Sequence, residues 1–163
     1  EMDRRRLTSL ESNILRCGVT NAIVLRGDAK KVEKLGLEPD KILLDAPCSG
    51  LGVLRRNPDA KWVAEKQNLA YFKKNQITLL EHLAPLLKNG GMLLYTVCSM
   101  EPEENEAVVM EFLKKHPSFV IDKDFQNLLT DLSIFIDDKG FFRTLPHTGH
   151  MDGFFAVRLR RNT

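Results

Sequence analysis

The sequence predicts an α/β domain, a parallel sheet with helices on both faces. Strand-like and helix-like stretches alternate along the chain. The strand-like ones are aliphatic runs with little polar alternation, as strands buried on both faces are. Several of these runs end in acids or thiols, and in an open α/β sheet ligands sit beyond the carboxyl ends of the strands. At 163 residues the chain is long enough for one domain with a real core and short for two.

Each element follows from its residues. After Asp3, "RRRLTSLESNILRCG" spaces Leu7, Leu10, Ile14 and Leu15 as one helix face, with Gly18 as a fitting stop. "NAIVLRGDA" reads as a short strand ending at Gly27 and Asp28, and "KKVEKLG" as a small helix or turn. "KILLDAP" is the next strand, and an irregular glycine- and arginine-rich segment, "CSGLGVLRRNPDAKW", follows it. From Val63 to Lys88 the apolar residues recur at helical spacing, and "KNGG" closes the stretch as a helix end and tight turn. "MLLYTVCS" is a further strand. "EPEENEAVVMEFLKKHP" is a helix with an acidic first turn and a basic last turn, as the helix dipole favours. "SFVI" and "GFFAVRLR" read as strands, while residues 122–139 receive no assignment.

Bulk properties narrow the classes. With 24 basic and 22 acidic residues, net charge allows a nucleic-acid partner without demanding one. Cys17, Cys48 and Cys98 are odd in number, far apart and without a C-x-x-C pair, which suits a reducing cytoplasm and neither a disulfide framework nor a zinc site. No apolar run reaches transmembrane length, and "EMDRRRLTSLES" lacks the apolar core of a signal peptide. A cytoplasmic protein with no membrane and no metal is the expectation. The chain opens with Glu1 instead of methionine, as a piece of something longer would.

Asp28, Asp45 with Cys48, and Cys98 with Ser99 should converge on one rim of the sheet. Cys17, on an amphipathic helix, reads as a small packing residue. Cys48 and Cys98 begin turns whose backbone N–H groups are unpaired. A thiol there can have its pKa drawn down and its thiolate fraction raised.

"DAPCSGLGVLRRNPDAKW" at 45–62 and "LLYTVCSMEPEENEAVV" at 93–109 resemble the two cysteine motifs of the RNA cytosine-C5 methyltransferases. "RRNPDAKW" favours the bacterial RsmB (Sun, Fmu) type that modifies small-subunit ribosomal RNA, and "DGFFAVRLRR" resembles that family's last strand. The similarity runs from Glu1 to about Met110 and from Gly149 to Arg161, leaving 111–148 weakly matched. The resemblance implies a Rossmann-like class I methyltransferase sheet and S-adenosylmethionine as cofactor. It implies that Cys98 adds to C6 of cytosine, that Cys48 assists release, and that Asp45 holds the base at N3 and the exocyclic amine. DNA enzymes of this chemistry have no cysteine in the later motif, so two cysteines point to RNA.

The resemblance also places Glu1 on the cofactor's ribose and Asp28 at its adenine, with Asp45 beside them. Without it, an acid at a helix start is a cap and Gly27-Asp28 a turn. The family's glycine-rich cofactor loop, its nearby lysine and its first strand would lie upstream of Glu1. Residues 1–163 are therefore expected to be a partial catalytic domain with an unpaired sheet edge, open to self-association. Val97 stands where the family commonly has threonine.

Of the basic clusters, Arg55 and Arg56 are placed against RNA, because their loop follows Cys48 and a base must leave its stack to reach the thiols. Trp62 reads as an anchor of that loop on the core. His147, His150 and Asp152 match no strong zinc spacing and read as a polar loop. Two other classes compete: a non-catalytic RNA-binding module derived from this fold, and a redox enzyme that cycles a Cys48–Cys98 disulfide.

Overall fold

The structure, a computed structural model, describes residues 1–59, 61–62, 68–124, 130–148 and 150–162. Helix α1 spans Arg4–Arg16; the Asp3 carboxylate accepts from the backbone N–H groups of Arg5 and Arg6 and caps it. A 3-10 segment, Ala29–Leu35, starts on Asp28 and stops at Gly36. Strand β1 is Lys41–Asp45. Helix α2 runs Leu69–Leu83 from an Asn68 cap and continues as a 3-10 turn, Ala84–Leu86. Residues 63–67, expected to open this helix, lie outside the described residues. Then come β2 (Met92–Val97), α3 (Glu106–Lys115), β3 (Phe119–Ile121), a 3-10 segment Thr130–Phe135, β4 (Phe141–Thr144) and β5 (Phe154–Arg161).

The sheet order is β1-β2-β5-β3, with β4 also paired to β5. β1 and β2 are parallel, but β5 runs antiparallel to β2, β3 and β4, so the sheet is mixed and not all parallel. The connection from β4 into β5 is shorter than the crossover a parallel pair needs, so those two strands run antiparallel. β3 pairs with the C-terminal part of β5 and β4 with its N-terminal part, which gives the weakly matched stretch its place.

One face of the sheet carries Leu93, Tyr95, Val97, Phe155, Val157 and Leu159, all buried. They join Ile77, Leu80 and Leu83 of α2 and Val108, Val109 and Phe112 of α3 in one core. Leu43 and Leu94, one position out of step, stay 68% and 38% exposed. The expected helical cover is therefore present on one face, while the other is open near β1.

The expected strand "NAIVLR" is not a strand. Residues 22–26 have no regular secondary structure and join no ladder; Ile23 is 87% exposed and β1 is itself the sheet edge. A β-branched run needs a neighbouring backbone to become a strand, and here the chain offers only Glu1, whose carbonyl accepts from the Gly27 N–H at 3.0 Å. Helix α3 starts at Glu106, four residues past Pro102, because residues 102–105 form turns instead. Arg143 of β4 pairs with Glu106 of α3 and with Asp137, and lies over the rings of Phe141 and Phe155, which ties this region to the core. Among the described residues, no helix is long and apolar enough to cross a membrane.

Candidate active site at the carboxyl rim

The parallel register sets Asp45 opposite Thr96, and the Ala46 N–H donates to the Thr96 carbonyl at 2.9 Å to close the ladder. Cys48 and Cys98 leave the sheet just beyond that point. Their Sγ atoms are 3.1 Å apart, in hydrogen-bond contact, and both side chains are half-buried. Cys17 is elsewhere: it is exposed at the C-terminal cap of α1, not packed in the core as expected.

The two thiols are electrostatically unlike. The hydrogen bond with Cys48 draws Cys98 down from the ordinary 9.0 to about 7, against burial and the charges of Asp45 and Glu104. The same hydrogen bond, then burial, then the Cys98 charge push Cys48 up. The contact thus favours the thiolate at Cys98 and the protonated thiol at Cys48. Alkylation requires the thiolate, so its rate at Cys98 is expected to rise with pH about a midpoint near 7. Cys48→Ala deletes the donor and should move that midpoint up toward the ordinary thiol value or above it, while Cys48→Ser, which keeps a donor, should move it less. Quantitative mass spectrometry of iodoacetamide labelling against pH reads both, and an unmoved midpoint in Cys48→Ala would refute the pairing.

Three loops meet at Cys98 without room for side chains. Gly52 N–H donates to the Cys98 carbonyl at 3.0 Å, and Gly153 N–H donates to the Gly52 carbonyl at 2.8 Å. A Cβ on Gly52 would fall on the Gly153 carbonyl oxygen and within 2.9 Å of the Cys98 carbonyl oxygen.

Beside the thiols, Glu1, Asp28 and Asp45 line one cavity of about 450 Å³, so the structure brings the three acids together. Thr96 Oγ1 donates to Asp45 Oδ1 at 2.9 Å and fixes a carboxylate that remains exposed. Asp28 accepts from the Lys30 N–H at 3.0 Å. Glu1 accepts from the N–H groups of Asp3 and Met2, the first of which leads in holding its carboxyl below the usual range. Tyr71, Phe72 and Asn75 complete the wall and escape a sequence reading, in which they are ordinary α2 residues. An apolar wall with three convergent carboxylates fits a cationic cofactor bearing a ribose and a flat base.

Arg55 and Arg56 are engaged within the chain. Arg55 donates to the His150 carbonyl at 2.9 Å, and Arg56 pairs with Asp152 at 2.9 Å. They fasten the loop after Cys48 to the segment before β5, and the Arg56 side chain stays 68% exposed. Trp62 does not anchor that loop: it is 59% exposed, with Lys61 Nζ 5.4 Å above its ring. Gly149, one limit of the expected similarity, lies outside the described residues.

Fold and rim together define a Rossmann-like α/β domain with a two-thiol site next to a carboxylate-lined cavity. The chain belongs to the 16S rRNA methyltransferase RsmB/F family, whose sequence model matches residues 1–160. It is 40% identical over 123 residues to the probable ribosomal RNA small subunit methyltransferase B of Bacillus subtilis, covering 75% of this chain and 27% of that protein. It is 36% identical over 161 residues to the probable ribosomal RNA small subunit methyltransferase B of Synechocystis sp., covering 96% and 35%. The chain thus spans about a third of the length of these relatives. Among solved structures it is similar to NSun6 from Pyrococcus horikoshii with SFG, at TM-score 0.81 and 32% identity over 100% of this chain and 40% of that one. It is also similar to a methyltransferase homolog protein from Pyrococcus horikoshii, at TM-score 0.73 and 28% identity over 98% and 51%.

Proposed function

We propose that the chain is the cofactor- and base-handling part of an S-adenosylmethionine-dependent methyltransferase that acts on C5 of a cytosine in small-subunit ribosomal RNA. The observation that carries this reading is the Cys48–Cys98 pair, 3.1 Å apart, at the rim beside the cavity lined by Glu1, Asp28 and Asp45. Cytosine C5 is a poor nucleophile. The Cys98 thiolate forms a bond to C6 and shifts the ring's electron pair to C5, which then takes the methyl group. Asp45 holds the base edge at N3 and the exocyclic amine. Solvent water takes the C5 proton, the C–H electron pair re-forms the C5–C6 double bond, and the C6–S bond breaks, returning its pair to Cys98. The Cys48 thiol assists this departure.

S-adenosylmethionine, when bound, would supply the methyl group as an electrophile, the S–CH3 bond breaking with its electron pair left on sulfur as the neutral thioether S-adenosylhomocysteine. Glu1 would hold the ribose hydroxyls and Asp28 the adenine, in the cavity that Tyr71 and Phe72 also line. Arg55 and Arg56 meet RNA phosphates while fastening their loop.

The test is an assay of catalytically competent protein with methyl-labelled cofactor and small-subunit rRNA. Label in 5-methylcytosine is expected. Asp28→Ala should raise the KM for cofactor about tenfold, the cost of one hydrogen bond to a charged group. Label at another atom of the RNA, or none, would overturn the reading.

A further inference from the structure

We propose that Glu104 is the positioning residue of the two-thiol site, a buried carboxylate that ties the Cys48 turn to the Cys98 turn and sets the distance between the thiols. The proposal rests on the catalytic reading of Cys48 and Cys98 and adds the group that holds them in place.

Glu104 is fully buried although it lies among acids that read as the exposed first turn of a helix. Its carboxylate receives four hydrogen bonds. Oε1 accepts from the Ser49 N–H at 2.9 Å and from Gln76 Nε2 at 3.0 Å. Oε2 accepts from Ser49 Oγ at 2.5 Å and Ser99 Oγ at 2.6 Å. Ser49 follows Cys48 and Ser99 follows Cys98, so one side chain grips the residue next to each thiol, 50 positions apart in sequence. Gln76 adds α2 to the bracket, since its Nε2 also donates to the Pro47 carbonyl at 3.0 Å. The backbone of Glu104 is held as well: Tyr95 Oη donates to its carbonyl at 2.7 Å. Asn105 Nδ2 donates to the Ser99 carbonyl at 3.3 Å.

All four donors are uncharged. Burying a carboxylate with no cation among its hydrogen-bond donors is costly even when every oxygen is satisfied, and apolar fillings of such sites are often as stable or more so. What the carboxylate supplies is geometry: short, charge-assisted bonds with fixed directions. The β1–β2 ladder ends at Ala46 and Thr96. Beyond it, the turns are held in register by this bracket and by the Gly52–Cys98 contact. A misplacement of about 1 Å in a reacting group can cost about 10²-fold in rate.

The test reads thiol geometry directly. Phenylarsine oxide is held by two adjacent thiols at once, and intact-mass titration of folded protein measures its capture. Iodoacetamide labelling against pH gives the Cys98 midpoint, with exposed Cys17 as internal reference. Glu104→Gln can keep the bracket, because its amide oxygen accepts from Ser49 N–H and Gln76 while its amide nitrogen donates to the two hydroxyls. It should capture the arsenical as the unmodified protein does.

Glu104→Ala removes every acceptor. Capture should weaken by about 10²-fold as two-point attachment is lost. The Cys98 midpoint should rise, because the Cys48 hydrogen bond is its largest influence. If Glu104→Ala keeps native circular dichroism, captures normally and leaves the midpoint in place, the proposal is overturned. Should Glu104→Ala not fold, Ser99→Ala deletes one strand of the bracket: partial loss of capture supports the proposal and unaltered capture overturns it. Neither readout involves RNA or cofactor, so a failure of the methylation assay and a failure of the bracket remain distinguishable.

Discussion

Cys98→Ala is expected to abolish methyl transfer, with kcat lowered by about 10⁴-fold or more, the order seen when a covalent nucleophile is deleted. The loss follows from the proposed mechanism: without the bond to C6, no electron pair reaches C5. Cofactor affinity should be nearly unchanged, because Cys98 is not among the residues lining the cavity that holds Glu1, Asp28 and Asp45. A labelled-methyl assay and a calorimetric titration with S-adenosylmethionine read the two quantities separately. Residual turnover within about tenfold of the unmodified protein would remove Cys98 from the nucleophile's role.

The second large effect is opposite in kind. Cys48→Ala should let the chain bond to RNA and fail to let go, so a covalent protein–RNA adduct accumulates during turnover. The Cys48 thiol is pushed up chiefly by its hydrogen bond to Cys98, which favours its protonated form, and it lies 3.1 Å from the sulfur that departs in the proposed mechanism. A denaturing gel with end-labelled RNA would show the adduct as a slow band that requires Cys98 and the cofactor. The double variant, Cys48→Ala with Cys98→Ala, should show none. If Cys48→Ala turned over normally without an adduct, the division of labour between the thiols would be wrong. A reversible disulfide, which the same short separation permits, needs an oxidant and no RNA, and mass spectrometry separates it from the adduct.

The elements most legible in the sequence are those whose local chemistry agrees with their tertiary surroundings. Asp3 before "RRRLTSL" announces a capped helix, and a capped helix is found. "KILLD" and "MLLYTV" are aliphatic enough to be strands in any packed α/β domain, and they pair in parallel. "NAIVLR" has the same local character and forms no strand, because strand formation needs a partner backbone that a local reading does not see. The antiparallel β5 was equally invisible, since direction depends on how a chain returns and not on which residues it carries.

The site divides in the same way. Two cysteine motifs in order, with an acid before the first, are visible as text, and so is their resemblance to a family of RNA methyltransferases. Their meeting at 3.1 Å, and the unequal protonation it imposes, depend on the β1–β2 register and on the bracket built around Glu104. Thr96 carries no sign that it will fix Asp45, nor Tyr71 and Phe72 that they will wall a cavity. Arg55 and Arg56 look like free cations and are tied to His150 and Asp152, whereas Trp62 looks like an anchor and is exposed.

The amino-acid sequence alone determined the family and the α/β class and pointed to the candidate thiols and acids, because these reside in side-chain type and order. The tertiary structure alone decided which thiol is favoured as the thiolate, which acid is buried and which basic residues are already engaged. Those properties come from distance and solvent exclusion, and both arise only when segments far apart in the chain are packed together.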